Sequence, residues 1–194
     1  MKHTIFLLAI LVIFAKASFG QQLLEKKFSE REKIDTLIHG FLKWHKQINT
    51  QHTDNEDAYN VTKGGYPDAT REKLDTAGVD LYLKSLKRSP YLSDTFVNDL
   101  RLYFFKIGEE LDKRPKVDDL VAVHGLDSDW ILKTMESDVI FDNIEKGRMV
   151  DFKIIYNKAM AIFSISKTVQ LLFTFTKIDN RWLIDYVGYD NDKR

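Results

Sequence analysis

Cysteine is absent from the 194 residues. That excludes disulfide staples, a thiolate nucleophile and lipid attached through a thioether, so stability must come from a packed core. An excess of charge is also missing: 29 basic residues balance 29 acidic ones. Nucleic acid is a poor partner for such a chain, because binding it needs a basic face. There is no low-complexity tract, no internal repeat, no Gly-x-Ser-x-Gly elbow and no Gly-rich phosphate loop, Gly64-Gly65 being too short for one. The calcium-loop pattern is missing too, although Asp127 and Asp129 lie close together. The longest apolar run, from Ile5 to Ala15, is eleven residues, well short of the roughly 20 needed to span a bilayer.

What that run does fit is a leader. Lys2 and His3 precede it and the small-residue segment Lys16-Ala17-Ser18-Phe19-Gly20 follows it, the order of a secretory signal peptide. Cleavage is expected after Gly20, leaving Gln21-Gln22 at the new terminus, with cuts after Ala17 or Ser18 as alternatives. The expectation is a bacterial periplasmic or secreted protein: a signal peptide over 1–20 and one domain over 21–194, with no stable membrane anchor. Removing Lys2 and Lys16 leaves 27 basic against 29 acidic residues, a net charge near −2. About 170 residues suffice to bury one core.

Hydrophobic period divides the domain. Ile34, Leu37, Ile38, Phe41, Trp44 and Ile48 recur three or four apart, so the spacing predicts a first helix from Phe28 to about Ile48, with Ser29 and Glu32 as its capping box. Asn49 to Gly78 reads as a long polar loop, with one helical turn near Arg71 to Leu74. Helical spacing resumes at Asp80, stops at Ser89-Pro90, and restarts after Ser93. There Phe96, Val97, Leu100, Tyr103, Phe104, Ile107 and Leu111 form a stripe ending before Pro115. Between Val117 and Glu145, Leu120 to Val123 and Asp129 to Met135 read as short strands. From Arg148 the period becomes two, with turns at Asn157-Lys158, Lys167-Thr168 and Asp179-Asn180. This predicts a meander of four strands ending with Arg181 to Tyr189. Helices followed by an antiparallel sheet make an α+β fold, with the sheet packed on the N-terminal helices.

The helix ending Phe41-Leu42-Lys43-Trp44-His45, and the closing strand Asn180-Arg181-Trp182-Leu183-Ile184-Asp185-Tyr186-Val187 with its Trp-x-Ile-x-x-Val spacing, together resemble the nuclear transport factor 2-like (cystatin-like) superfamily over Phe28 to Asp190. The similarity is to its exported bacterial members. It implies a curved sheet wrapped into a cone with a pocket inside, a cystatin-like roll. The segment from Asn49 to Ser93 is longer than the usual connection. That superfamily hosts hydrolases, isomerases, immunity proteins and binding or dimerisation modules, so the resemblance leaves function open.

Candidate chemistry is sparse. His39, His45, His52 and His124 show no metal spacing, and neither a metal nor a cofactor is expected. His124, Asp127, Asp129 and Trp130 cluster in sequence, and Asp185 adjoins Tyr186. A His with an Asp in reach is an acid–base pair, so the catalytic candidates are His124, Asp127, Asp185 and His45. Their bland alternatives are a turn at His124-Gly125, and solvated or helix-capping roles for Asp127 and Asp129. Trp44, Trp130, Tyr156 and Tyr186 are the candidate ligand-binding residues; Trp44 and Trp130 also suit a core, while His45, one residue round from Trp44, borders solvent or the pocket. Leu171, Phe173 and Phe175 make one sheet face apolar while Leu172, Thr174 and Thr176 leave the other half apolar, which suits a homodimer as much as ordinary surface leucines. Three functions stay open. They are a non-catalytic module binding a small ligand or protein through the cone pocket or sheet face, a small hydrolase or isomerase, and an immunity protein against a delivered toxin.

Overall fold

A computed structural model of the chain describes residues 30–49, 60–65, 71–114 and 125–189. The leader, Ser29, the Leu120–Val123 stretch and His124 lie outside the described residues. Two compact units divide the chain, Met1–Thr36 and Leu37–Arg194. In the first, the described residues are the opening turns of helix α1, which runs over 30–49. Everything that follows belongs to the second.

Side-chain caps decide where the next helices begin. Asp75 accepts the Ala77 N–H at 3.2 Å and starts α2 (Thr76–Leu86), earlier than the apolar spacing at Asp80 indicates. Ser93 accepts the Phe96 N–H at 3.2 Å and starts α3 (Asp94–Lys113), a polar oxygen satisfying an otherwise orphaned first-turn donor. The expected stripe on α3 is the buried one, with Phe96, Val97, Leu100, Phe104, Ile107 and Leu111 inside and Tyr103 half-buried.

One expectation is overturned between α1 and α2. Lys73–Leu74 is not helical but forms strand β2, paired antiparallel with β1 (Thr62–Lys63). The cause is tertiary: Asp75 N–H donates to Val61 O at 2.8 Å, and Leu74 rests against Gly108 of α3, where an added Cβ would come within 3.1 Å of it. Asp129 to Met135 is likewise not a strand. It is a tight turn closed by one isolated bridge between Asp129 and Thr134, and is followed by α4 (Ser137–Asp142) and a 3-10 turn at Ile144–Lys146.

The four-strand meander is present as β3 (Arg148–Ile155), β4 (Lys158–Ser164), β5 (Gln170–Ile178) and β6 (Arg181–Tyr189), antiparallel in the order β3-β4-β5-β6. Asp179 and Asn180, at φ 48 and 62, form the two-residue β5–β6 turn, the left-handed pair that matches strand twist. The β3–β4 turn sits one residue earlier than expected, on Tyr156 (φ 56) and Asn157. Between β4 and β5, the Ser166 hydroxyl accepts the Thr168 and Val169 N–H groups at 3.2 and 3.1 Å.

Ala161, Phe163, Leu171, Phe173, Phe175, Trp182, Ile184 and Val187 line the buried face of this sheet. Ile38, Phe41, Leu42 and His45 are the buried line of α1. The two meet where the Phe41 and Phe173 rings stand edge to face at 6.1 Å. Each such phenylalanine contributes about 2 to 3 kcal/mol by burial. The free edge of β6 is covered by the strand-like segment at Leu92: Ser93 N–H donates to Ile184 O at 3.0 Å and Ile184 N–H to Tyr91 O at 2.8 Å. At the opposite edge a bulge at Val150 interrupts β3, and the Asp151 carboxylate takes up the Phe152 N–H at 2.7 Å. Both devices discourage pairing with another strand.

Candidate functional site

The turn from Gly125 to Glu136 organises the polar chemistry of this unit, and Asp129 organises the turn. Its Oδ1 accepts the N–H groups of Ile131 and Leu132 at 3.0 and 2.8 Å. Its backbone N–H donates to Thr134 O at 2.9 Å and its carbonyl accepts the Lys133 N–H at 2.7 Å. Its Oδ2 accepts a hydrogen bond from His45 Nε2 at 2.7 Å. Every polar feature of the aspartate is therefore used, its backbone and Oδ1 within the turn 129–134 and its Oδ2 on helix α1. Ile131 and Leu132 point into the core, and the chain leaves the turn at Lys133 with φ 55.

His45 itself is 4% exposed. The stacked ring of Phe41 at 6.1 Å, the edge of Phe141 at 5.4 Å and Trp44 at 6.4 Å surround its imidazole. Its Nδ1 makes no hydrogen bond among the described residues, while Nε2 carries the proton given to Asp129. The sequence reading is reversed here: His45 is inside and Trp44 is half-buried at the rim. His45 lies one helical turn beyond Phe41 and two beyond Ile38, on the line that faces the core, whereas Trp44 falls to its side and reaches Tyr91 at 5.9 Å.

The other candidates separate. Asp127 is exposed and accepts the Gly125 N–H at 3.1 Å, a local turn contact, so it does not meet His45. Next to it the Tyr103 hydroxyl donates to Gly125 O at 2.7 Å. Burial, reinforced by the Asp127 carboxylate, holds that phenol above its usual range. Trp130 is half-buried and packs between Tyr82 and Phe104, edge to face with each at 5.1 and 5.2 Å, a packing role more than a ligand platform. Tyr156 is 95% exposed at the tip of the β3–β4 hairpin. Asp185 is 7% exposed and occurs as the extra residue of a β-bulge in β6. It is joined by the Thr176 hydroxyl and by Lys158 Nζ at 3.2 Å, with no histidine in the group.

Tyr186 is the candidate placed in a cleft. The bulge at Asp185 turns Tyr186 to the face away from the sheet core, and the ring lies over Gly188, where an added Cβ would fall 2.3 Å from the Tyr186 hydroxyl. Lys133 Nζ sits 4.6 Å from the ring centroid. Between the Lys133–Glu136 segment and the end of β6 opens a cleft of about 410 Å³, lined by Lys133, Thr134, Met135, Glu136, Tyr186, Gly188 and Tyr189. The Thr134 hydroxyl donates to the Tyr189 hydroxyl at 3.3 Å and accepts the Glu136 N–H at 2.9 Å. Burial pushes the Lys133 amine below its usual value, opposed by the Asp99 carboxylate of α3. Lys133, Thr134, Glu136 and Tyr189 had no local signal in the sequence, since a turn and a strand end 50 residues on supply them.

Among the described residues, no group of three or more His, Asp or Glu side chains is arranged to hold a metal ion, and no helix is long and apolar enough to cross a membrane. No known protein family matches the sequence, and no curated protein matches it. Among solved structures, a chain of the type VI native effector–immunity complex Tae3–Tai3 from Ralstonia pickettii is similar at 16% identity and a TM-score of 0.32, over 60% of this chain and 94% of that one. A likeness that slight carries neither fold nor function.

Proposed function

We propose that the chain is an exported, non-catalytic binding module of the nuclear transport factor 2-like kind. Its ligand site is the cleft between Lys133–Glu136 and the end of β6. One observation carries this reading: Lys133 occupies a left-handed backbone conformation, φ 55, that suits glycine or asparagine, and its amine lies 4.6 Å from the centroid of the Tyr186 ring at the cleft. A non-glycine residue there costs about 1 kcal/mol, and strain of this kind gathers where a side chain must be aimed. The cleft volume falls within the range of small-molecule sites, roughly 300 to 1,000 Å³.

A fragment screen followed by amide chemical-shift mapping tests it. Hits should perturb 133–136 and 186–189 together, and Lys133→Gly should weaken them. Hits that gather on another surface would move the binding function there.

The acid–base enzyme is a second reading, supported by His45 and Asp129 at hydrogen-bond distance. Burial argues against it, since side-chain exposures of 5% and 4% leave no approach for a substrate to either group. Turnover of ester, amide or phosphoester probes that His45→Gln abolishes without unfolding the chain would reinstate the enzyme.

A further inference from the structure

The chemical class of the ligand follows from the order of charges along the cleft wall. Lys133 and Glu136 lie three residues apart on one segment that lines the cleft, and neither joins an ion pair among the described residues, the Asp99 carboxylate of α3 acting on Lys133 from farther off. A purely anionic ligand that reaches Lys133 meets the Glu136 carboxylate. A purely cationic ligand meets the Lys133 ammonium, which already occupies the face of Tyr186. Either mismatch opposes binding, and electrostatic complementarity of this kind sets specificity more than affinity. A ligand carrying both charges satisfies both ends.

The rest of the lining carries the hydroxyls of Thr134, Tyr186 and Tyr189, with Met135, 76% exposed, as its apolar member. The Thr134 hydrogen is already given to Tyr189, so the Tyr189 hydroxyl keeps its own hydrogen to donate to the carbonyl of an amide link. The volume of about 410 Å³ accommodates something near the size of a dipeptide.

We infer that the cleft takes a small zwitterion of the amino-acid or dipeptide class, its carboxylate on Lys133 and its ammonium on Glu136, with the Thr134 and Tyr189 hydroxyls between them. This rests on the cleft being the ligand site, and the test separates the two.

The probe is alanyl-alanine with free termini, compared with N-acetyl-alanyl-alanine and alanyl-alanine amide, titrated into the purified chain and followed by backbone amide shifts. Alanyl-alanine should move 133–136 and 186–189, and each capped form should bind about tenfold more weakly, the loss of one charge contact of roughly 1.4 kcal/mol. Lys133→Met should erase the difference between the free acid and the amide. Glu136→Gln should erase the difference between the free and acetylated amines. Capped forms that bind the cleft as tightly as the zwitterion would overturn the charge assignment and leave the cleft standing. No response to any of the three also overturns it, and if the fragment screen leaves the cleft untouched as well, the cleft reading falls with it.

Discussion

His45 Nε2 lies 2.7 Å from Asp129 Oδ2 across 84 residues of chain, so helix α1 directly holds the turn that presents Lys133. The carboxylate receives three donors, the imidazole N–H and two backbone N–H groups, and this compensates its removal from water. Removing one partner of a buried pair strands the other. His45→Ala should therefore cost about 3 kcal/mol in urea unfolding, and Asp129→Ala a similar amount. Because each change destroys the same contact, the double variant should cost at least 1 kcal/mol less than the sum. Strict additivity would mean that the two residues stabilise the fold independently.

The strained lysine makes a prediction in which stability and binding move in opposite directions. Glycine adopts φ 55 freely, and removing the side chain also removes a desolvated amine. Lys133→Gly should raise stability by up to about 0.5 kcal/mol, the relief of left-handed strain less the greater entropy of the unfolded glycine and the lost Tyr186 contact, while weakening every cleft ligand. Thermal melts and shift titrations on the same samples measure both. A Lys133→Gly chain that is less stable than its parent would remove the argument from strain.

How much of this was readable beforehand depends on whether local chain or distant contact sets the geometry. The α3 stripe and the Asp179-Asn180 turn were legible because periodicity and turn chemistry are local. So, in part, was the bulge: Trp182, Ile184 and Val187 face the core at intervals of two and then three, and the extra residue is Asp185. The Trp-x-Ile-x-x-Val spacing already contains that break in period. His45 was misplaced because hydrophobicity favoured Trp44 for the inside, although the 38-41-42-45 spacing names the buried line. The Asp129 turn was misread as a strand, since its apolar Trp130-Ile131-Leu132 run matches either state and only the capping carboxylate distinguishes them. Lys133 over Tyr186 had no signal at all, being a meeting of two loop-edge positions.

Titration offers an independent view of Lys133. Burial lowers its pKa in the folded chain below the ordinary 10.5. Between the folded and unfolded values the unfolded chain holds more protons, so stability rises with pH across that window. The desolvation penalty is fully present at neutral pH, where both states are protonated, and fades as pH climbs through the folded value toward 10.5. Lys133→Met removes this penalty together with the Tyr186 contact, so the stability difference between the variant and the parent should move in the parent's favour as pH climbs toward 11. Urea midpoints of both chains across this range decide it. A difference that is flat with pH would show that the amine is fully hydrated.

Gly188 is the floor on which Tyr186 rests, and its substitution separates the ring from the lysine without touching either. An added Cβ would fall 2.3 Å from the Tyr186 hydroxyl and 2.8 Å from its Cζ. Because those atoms end a side chain that can swing away, the clash is relieved by moving the ring. Gly188→Ala should thus shift the Tyr186 ring resonances and carry it off Lys133, forfeiting a contact of about 0.5 to 1 kcal/mol. The Val187 and Trp182 signals, which report the buried face, should stay in place. If the ring holds its position over Lys133 in Gly188→Ala and ligands bind unchanged, the cleft does not depend on the platform described. By contrast, Gly78→Ala meets the Asn60 carbonyl oxygen at 1.8 Å, a backbone atom that cannot rotate aside. That variant should lose about 2 kcal/mol or more through displaced chain, without altering the cleft residues.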